Sequence, residues 1–436
     1  RLAGVPKKVI SKAKLILNGL HPAEIARLLE SSPPRQRRLI WEMLDHSYDG
    51  EVLLEVGEEV RNNLMESMDE QSLLAATKGL DVDDLADLLD ELPETVVKQA
   101  LKGMDYQYRT RLEGVMNYNE DTAGGLMNTD TITIRPDVTL DVVLKYLRLK
   151  KEIPQNTDNI IVVDRYNHYL GTLSVTTLLC ADPEKTVSES MNNDYISISA
   201  DSLANEVVNI FEDRDLVSAP VVDQNNILLG RITIDDVVDV IREESEHTVL
   251  NMAGLTDEED IFAPVLPSTR RRAIWLGINL ITALIASGVI SLFQNTIEQV
   301  VALAVLMPIV ASMGGIAGSQ TLTLVIRGIA LGNVSSTNSR SLLFKEISIG
   351  LLNSFLWATV IGVLSSYWFD NYLIGIVIGI AMIANLGFAA LSGVLVPIML
   401  KRIGVDPALG GGVILTTITD VIGFFSFLAL GTIFLL

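Results

Sequence analysis

GGGVILTTITDVIGFFSFLALGTIFLL, residues 410–436, is the stretch that decides the fold. Its apolar run exceeds the ~20 residues a helix needs to cross the hydrocarbon core of a bilayer. It nevertheless holds a carboxylate, Asp420, ten residues past Gly410. An ionised side chain at that depth costs at least ~2.5 kcal/mol on insertion scales, so an acid kept there is a functional site by default. The structural alternative is an Asp420 that ties helices together through Thr416, Thr417 or Thr419. No basic residue lies inside a comparable apolar run, so a cation or a water-filled path is its natural partner.

Working outward, similar apolar windows occur at 273–294, 300–325, 346–369 and 373–400, which with 410–434 predicts five spans. Arg270 to Arg272 precede the first window, Arg327, Arg340 and Lys345 surround the second loop, and Lys401 and Arg402 follow the fourth, all on one side. The opposite loops hold Glu298 and Asp370 without Lys or Arg. The positive-inside rule therefore places the N-terminal half in the cytoplasm and Leu436 outside, in a multi-pass protein surrounded by membrane lipid. The second window, MPIVASMGGIAGSQTLTLVIRG (307–328), carries Pro308 and the small residues Gly314, Gly315, Ala317, Gly318 and Ser319, which allow a bend or a close helix approach.

Composition separates two unlike halves. The mean hydropathy is +0.35, yet 20% of residues are charged. After Thr269 there are eight basic and five acidic side chains, net +3; the chain total of −21 leaves −24 on residues 1–269. Such a density repels nucleic acid and attracts divalent cations. Cys180 is the single cysteine, so no intrachain disulfide can form, and the apolar runs begin too late for a signal peptide. His21, His46, His168 and His247 lie far apart, without the pairing that a zinc or iron site on a helix requires. A nucleophile elbow, a P-loop and a dinucleotide fingerprint are missing, and the expectation is a protein that is not an enzyme.

Two duplications organise the acidic half. GLHPAEIARLLESSPPRQRRLIWEMLD (19–45) aligns without gaps on GLDVDDLADLLDELPETVVKQALKGMD (79–105). Ile25, Leu28 and Leu29, like Leu85, Leu88 and Leu89, have helical spacing, and Pro33 and Pro93 end each helix, so residues 1–118 read as an α-helical hairpin superhelix. The second copy is acidic: Asp83 and Asp87 share a face, Asp81 is a candidate N-cap, and Asp84 suits the positive end of the helix. From Met127 onward β-branched strands alternate with helices, and Met127, Asn128, Asp130, Asp164 and Gly171 return as Met191, Asn192, Asp194, Asp223 and Gly230. These repeats, 127–243, resemble tandem α/β CBS domains, modules that bind adenosine nucleotides and often dimerise. That resemblance implies a ribose-positioning run at Gly230, Thr233 and Asp236; the first copy, GTLSVTT, lacks the Asp, and a purely structural pair stays open, as does ATP as a ligand. Residues 244–269 then connect the halves as a helix under the spans, with Glu243, Glu244, Glu246, Asp257, Glu258, Glu259 and Asp260 as its acids.

Helical hairpins, a CBS pair, a charged connector and a five-helix transmembrane domain (270–436) with GGIAGSQ (314–320) and TTITD (416–420), in this order, resemble the MgtE family of bacterial magnesium channels. The resemblance implies a multidomain homodimer of the bacterial inner membrane with its pore between two membrane domains and Asp420 at the ion site. Thr416, Thr417, Gly314 and Gly315 complete the expected set, since Mg²⁺ keeps its waters and takes few protein oxygens. It further implies that cytosolic Mg²⁺ closes the channel through Asp83, Asp84 and Asp87, through Asp215, Asp236 and Asp239, and through Asp406. No obligate protein partner is implied. Ile316 stands where the family often has Asn, so polar contacts in the second span are expected to be arranged differently. Two other readings of the residues remain: a proton- or ion-coupled carrier, and a membrane-anchored nucleotide or Mg²⁺ sensor without transport.

Overall fold

The computed structural model describes residues 7–78, 80–150, 153–154, 156–255, 260–335 and 337–436. Two compact units result, one of residues 1–245 with 258–263 and one of 246–257 with 264–436. The first unit begins with α1 (Lys7–Leu17), α2 (Pro22–Glu30), α3 (Pro34–Trp41), a 3-10 turn (His46–Tyr48), α4 (Asp49–Glu55), α5 (Glu58–Met65), α6 (Glu70–Ala76), α7 (Val82–Asp90), α8 (Glu94–Gly103) and α9 (Tyr106–Val115). Helices two apart in the chain pack on one another, α2 on α4, α4 on α6, α6 on α8 and α7 on α9, which stacks the hairpins. The helical spacing read from the duplication is the core: Ile25, Leu29 and Leu85 are fully buried, Leu88 and Leu89 nearly so. Pro33 and Pro93 stand at the N-caps of α3 and α8, so each proline starts the following helix three residues after the preceding one has ended.

The α/β part contains β1 (Thr133–Ile134), α10 (Leu140–Lys150), β2 (Asn159–Val163), β3 (Tyr169–Ser174), α11 (Val175–Cys180), α12 (Val187–Ser190), β4 (Ile198–Ser199), α13 (Ala204–Arg214), β5 (Ser218–Val222), β6 (Leu228–Thr233) and α14 (Ile234–Met252). Each repeat makes one three-stranded sheet, in the orders β1-β2-β3 and β4-β5-β6, with a parallel then an antiparallel pairing. The duplication extends to register: Val162 pairs with Gly171 and Val221 with Gly230, each beside an irregularity.

The connector differs from the sequence expectation. A connecting helix is present, but it is the continuation of α14 and ends at Met252 instead of running from 244 to 269. Gly254 adopts φ +71°, and the Leu255 N–H reaches back to the Leu250 carbonyl at 3.0 Å. That left-handed turn closes a helix C-terminus. Asp257, Glu258 and Glu259 lie outside the described residues. Asp260 is pinned to the hairpin domain: its carboxylate meets Arg37 at 2.7 Å with both side chains buried, and its N–H donates to Glu59 at 2.9 Å.

The second unit is helical: α15 (Val265–Ser291), α16 (Gln294–Gln299), α17 (Val301–Ala330), α18 (Ser339–Trp368), α19 (Tyr372–Arg402) and α20 (Pro407–Leu435). All but α16 are long and apolar enough to cross a membrane. The expected windows find these five, but α15 starts earlier than position 273, because Pro264 provides its N-cap and the three arginines are helical. The short α16 has no sequence signal in the polar loop QNTIEQ. Centrally placed, α19 packs against α17, α18 and α20, and Ile378, Ala381 and Ala389 on it are inaccessible.

Candidate functional site

The acidic site begins at the start of α7. Asp81 has the extended backbone of an N-cap, φ −67° and ψ 166°, but its carboxylate accepts nothing from the helix. The expected capping side chain is therefore corrected: carboxylate oxygens of Asp81, Asp83 and Asp84 lie within 4.8 Å of one another, the spacing of ligands around one cation. Asp83 is buried and its Oδ1 has no hydrogen-bond partner. Burial first, then the charges of Asp236, Asp84 and Asp81, push its pKa up to about 8. Burial and then Asp81, Asp239, Asp235 and Glu55 raise Asp84 to about 6. Asp236, at the start of α14, is raised to about 6 chiefly by burial, against hydrogen bonds from Thr233. Burial also raises Asp239, opposed by Arg242 3.9 Å away. The duplicated hairpin thus presents its acidic helix start to the acidic start of α14, and Asp235, not foreseen from sequence, belongs to the same face. Tyr108 closes one side, its hydroxyl bonded to the Leu80 carbonyl at 2.9 Å and its pKa pushed to about 12 by burial and then these aspartates.

Asp87 is exposed, one turn after Asp84 on α7. Asp215 and Asp406 go elsewhere. Asp215 ends α13 in the left-handed conformation, φ 50°, and lines a cleft of about 390 Å³ with Asp158, Ser174, Thr177 and Tyr195. Asp406 is an N-cap: one oxygen accepts from the Ala408 N–H at 2.9 Å and the other from Asn251 Nδ2 at 2.8 Å. Both of its oxygens already hold the start of α20 and the end of α14.

The nucleotide candidates are also rearranged. A Cβ on Gly230 would lie 2.7 Å from the Asn128 carbonyl, so this glycine admits the backbone of the segment that bridges Arg231. Thr233 donates to Asp236 at 3.0 Å and also bonds Asp235, closing the run on itself. Arg231 extends across this copy to the Asn156 carbonyl and Thr157 hydroxyl, at 3.4 and 3.2 Å. The corresponding residue of the first copy is Thr172, whose buried hydroxyl has no partner and lines the 390 Å³ cleft. The cleft thus borders the copy whose run lacks the Asp, with Thr172 in it where the second copy has Arg231.

In the membrane unit Asp420 is half-buried on α20 and makes no hydrogen bond or ion pair among the described residues. The threonines do not reach it. Thr416, Thr417 and Thr419 donate to the carbonyls of Gly412, Val413 and Thr416 at 2.8, 2.7 and 3.0 Å. Gly412, Thr416 and Asp420 recur every four residues and so share one face of α20. Thr416 on it is exposed, and a Cβ added at Gly412 would meet no neighbouring element within 4 Å. On α17, Ser312, Ile316, Ser319 and Thr323 are exposed at the same kind of spacing. Ile316, 56% exposed, thus faces outward among hydroxyls.

The two glycines expected at the ion site have different roles. Nothing lies within 4 Å of a Cβ on Gly315, whereas one on Gly314 would strike Asn385 Nδ2 at 2.3 Å. Sequence reasoning missed Asn385, inaccessible on α19, whose Nδ2 donates to the Val310 carbonyl at 2.7 Å. It also passed over Glu346 of α18, 5% exposed, which accepts from Thr321 at 3.4 Å and lies 3.5 Å from Lys345. The available signal in both cases was a lone polar residue within an apolar window.

Fold and site together define a multi-pass membrane protein with a carboxylate unpaired among the described residues on one of its long apolar helices and an acidic face on its other unit. Comparison with known proteins gives the family. The MgtE description, "Divalent cation transporter", matches residues 307–430, the MgtE intracellular N domain matches 20–121, and the CBS domain matches 123–184 and 187–243. The chain is 29% identical over 425 residues to the magnesium transporter MgtE of Thermus thermophilus, spanning 96% of this chain and 94% of that protein. It is 28% identical to the magnesium transporter MgtE of Bacillus subtilis, spanning 96% and 93%. Among solved structures, the cytosolic domain of the Mg²⁺ channel MgtE in complex with ATP is similar at 29% identity, with 52% of this chain and 93% of that one covered and a TM-score of 0.48. The chain belongs to the MgtE family of divalent cation transporters, which is not a family of enzymes.

Proposed function

We propose that this protein is a homodimeric Mg²⁺ channel that admits Mg²⁺ across the inner membrane and is closed by Mg²⁺ bound to its acidic unit. The observation that carries the reading is the polar face made by Asp420 and Thr416 of α20, which lipid cannot satisfy. A second copy placed across a two-fold axis covers that face and sets two Asp420 carboxylates toward one path, a device that selects cations. Hydrated Mg²⁺ suits it, because the threonine and backbone oxygens can hold waters without stripping them. In this reading residues 1–118 and 127–243 are regulatory, 244–269 connect, and 270–436 conduct, with the acidic unit cytoplasmic and Leu436 outside. Closure follows from linkage: a cation shared by Asp81, Asp83 and Asp84 with Asp236 and Asp239 replaces repulsion with common ligands. A nucleotide such as ATP would occupy the cleft lined by Ser174 and Thr177.

Proteoliposomes holding a Mg²⁺-sensitive dye test the reading. Uptake that requires Asp420 and falls when internal Mg²⁺ is raised is expected. Uptake unchanged in Asp420→Ala overturns the ion-site assignment, and uptake that follows an imposed proton gradient in place of the Mg²⁺ potential overturns the channel in favour of a carrier.

A further inference from the structure

Among the described residues of the membrane unit Asn385 is the one fully buried asparagine, and it sits on α19 between Met382 and Leu386, which pack with Ile309 and Met313 of α17. Its Nδ2 donates to Val310 at 2.7 Å while Oδ1 has no partner, so the amide's acceptor is held in the core without a hydrogen bond. A buried amide left partly unsatisfied costs on the order of 1–3 kcal/mol. Leucine or methionine fills such a position without that cost.

What the amide touches explains its presence. It lies between two glycines on different helices, Gly314 of α17 and Gly423 of α20; added Cβ atoms there would stand 2.3 and 2.8 Å from Nδ2. Gly423 follows Asp420 by three residues, so both lie on neighbouring parts of one helix face. Gly314 opens the small-residue run beside Gly315. The flat amide is therefore the spacer between the helix that carries the carboxylate and the helix that carries the glycine run, and its bond to Val310 fixes its orientation.

We infer that Asn385 is a positioning residue of the Asp420 site, which sets the separation of α17 and α20 and through it the cavity that holds the hydrated cation. The inference rests on the transport reading of Asp420 given above. Partners that orient a metal ligand without touching the metal typically change affinity by about 10- to 100-fold when lost. Asn385→Leu keeps the number and branching of side-chain heavy atoms and removes the amide; Gly423→Ala keeps the amide and displaces it.

The test measures, in proteoliposomes, the external Mg²⁺ concentration that half-saturates uptake and the ratio of Ca²⁺ to Mg²⁺ uptake, beside the melting temperature of the purified full-length protein. Both variants are expected to raise half-saturation by about tenfold or more and to increase the Ca²⁺ ratio. A merely structural Asn385 lowers melting temperature and maximal uptake together while leaving half-saturation and ratio unchanged, and that outcome overturns the inference. If wild type takes up no cation, the transport reading fails instead. The Asp420-dependent part of Mg²⁺ binding, measured by calorimetry as the difference between wild type and Asp420→Ala, then decides: affinity unchanged by Asn385→Leu overturns the positioning role, and affinity weakened by about tenfold supports it.

Discussion

Asp83 makes a quantitative prediction, because its environment sets a proton against a metal ion. Its pKa rises from 3.8 to about 8 in the folded chain, first through burial and then through Asp236, Asp84 and Asp81. A carboxyl group raised in this way favours the folded arrangement at low pH, where both folded and unfolded forms carry the proton. As pH rises above 3.8 the unfolded form releases the proton and the folded one does not, so stability falls until the folded group titrates near 8. At about 1.4 kcal/mol per pH unit, the loss by neutral pH is on the order of 4 kcal/mol if borne by this residue alone. Mg²⁺ at one hundred times its dissociation constant restores about 2.7 kcal/mol, roughly a hundredfold in a local opening equilibrium. Hydrogen exchange of the α7 amides, corrected for intrinsic pH dependence, reads that equilibrium. In chelator, protection of Leu85 to Leu89 should fall between pH 5 and 8, and Mg²⁺ should restore it at pH 8. Asp83→Asn, neutral at every pH, should flatten the profile and weaken the Mg²⁺ response. Protection independent of pH in wild type, or a full Mg²⁺ response in Asp83→Asn, would refute the reasoning.

Three other perturbations give separate outcomes. Asp420→Ala should insert and fold yet lose Mg²⁺ uptake, read as protein yield against dye signal. Asp260→Ala leaves the buried Arg37 guanidinium unpaired, a loss of about 3–5 kcal/mol that should appear as faster proteolysis near residue 260, whereas replacing both residues with methionine should cost far less. Gly314→Ala should lower the melting temperature by displacing Asn385 and Gly315→Ala should not, since only the first Cβ meets a neighbour.

Which features were legible in the sequence follows from how local their causes are. Spans announce themselves because apolar length is a property of a window, and the duplications because Leu85 and Leu89 repeat the spacing of Ile25 and Leu29. Asp83 and Asp236 were readable as acids; that they face one another required the fold. Asp81 looked like a helix cap because its position is one, but its side chain turns to the other carboxylates. Asp406, expected among the regulatory acids, also caps α20, a role its sequence position before Pro407 did not single out. Gly314 and Gly315 are indistinguishable in a string, since the rotation of α17 decides which of them receives a side chain. Asn385 leaves no periodic trace, and its partner is a backbone carbonyl 75 residues away. Nor does composition say that Thr172 lines a cleft while Arg231, at the matching position, bonds Asn156 and Thr157.

The ion pair between Arg37 and Asp260 has a consequence for reach. Only Ile261, Phe262, Ala263 and Pro264 separate Asp260 from Val265, the first residue of α15. Five steps of even fully extended chain span at most roughly 17 Å. While that pair holds, a five-step leash runs from the hairpin domain, where Asp260 is fixed by Arg37, to the first residue of the first membrane helix. A substitution at Arg37 would thus lengthen the leash without altering any ligand of the cation or any residue of the spans.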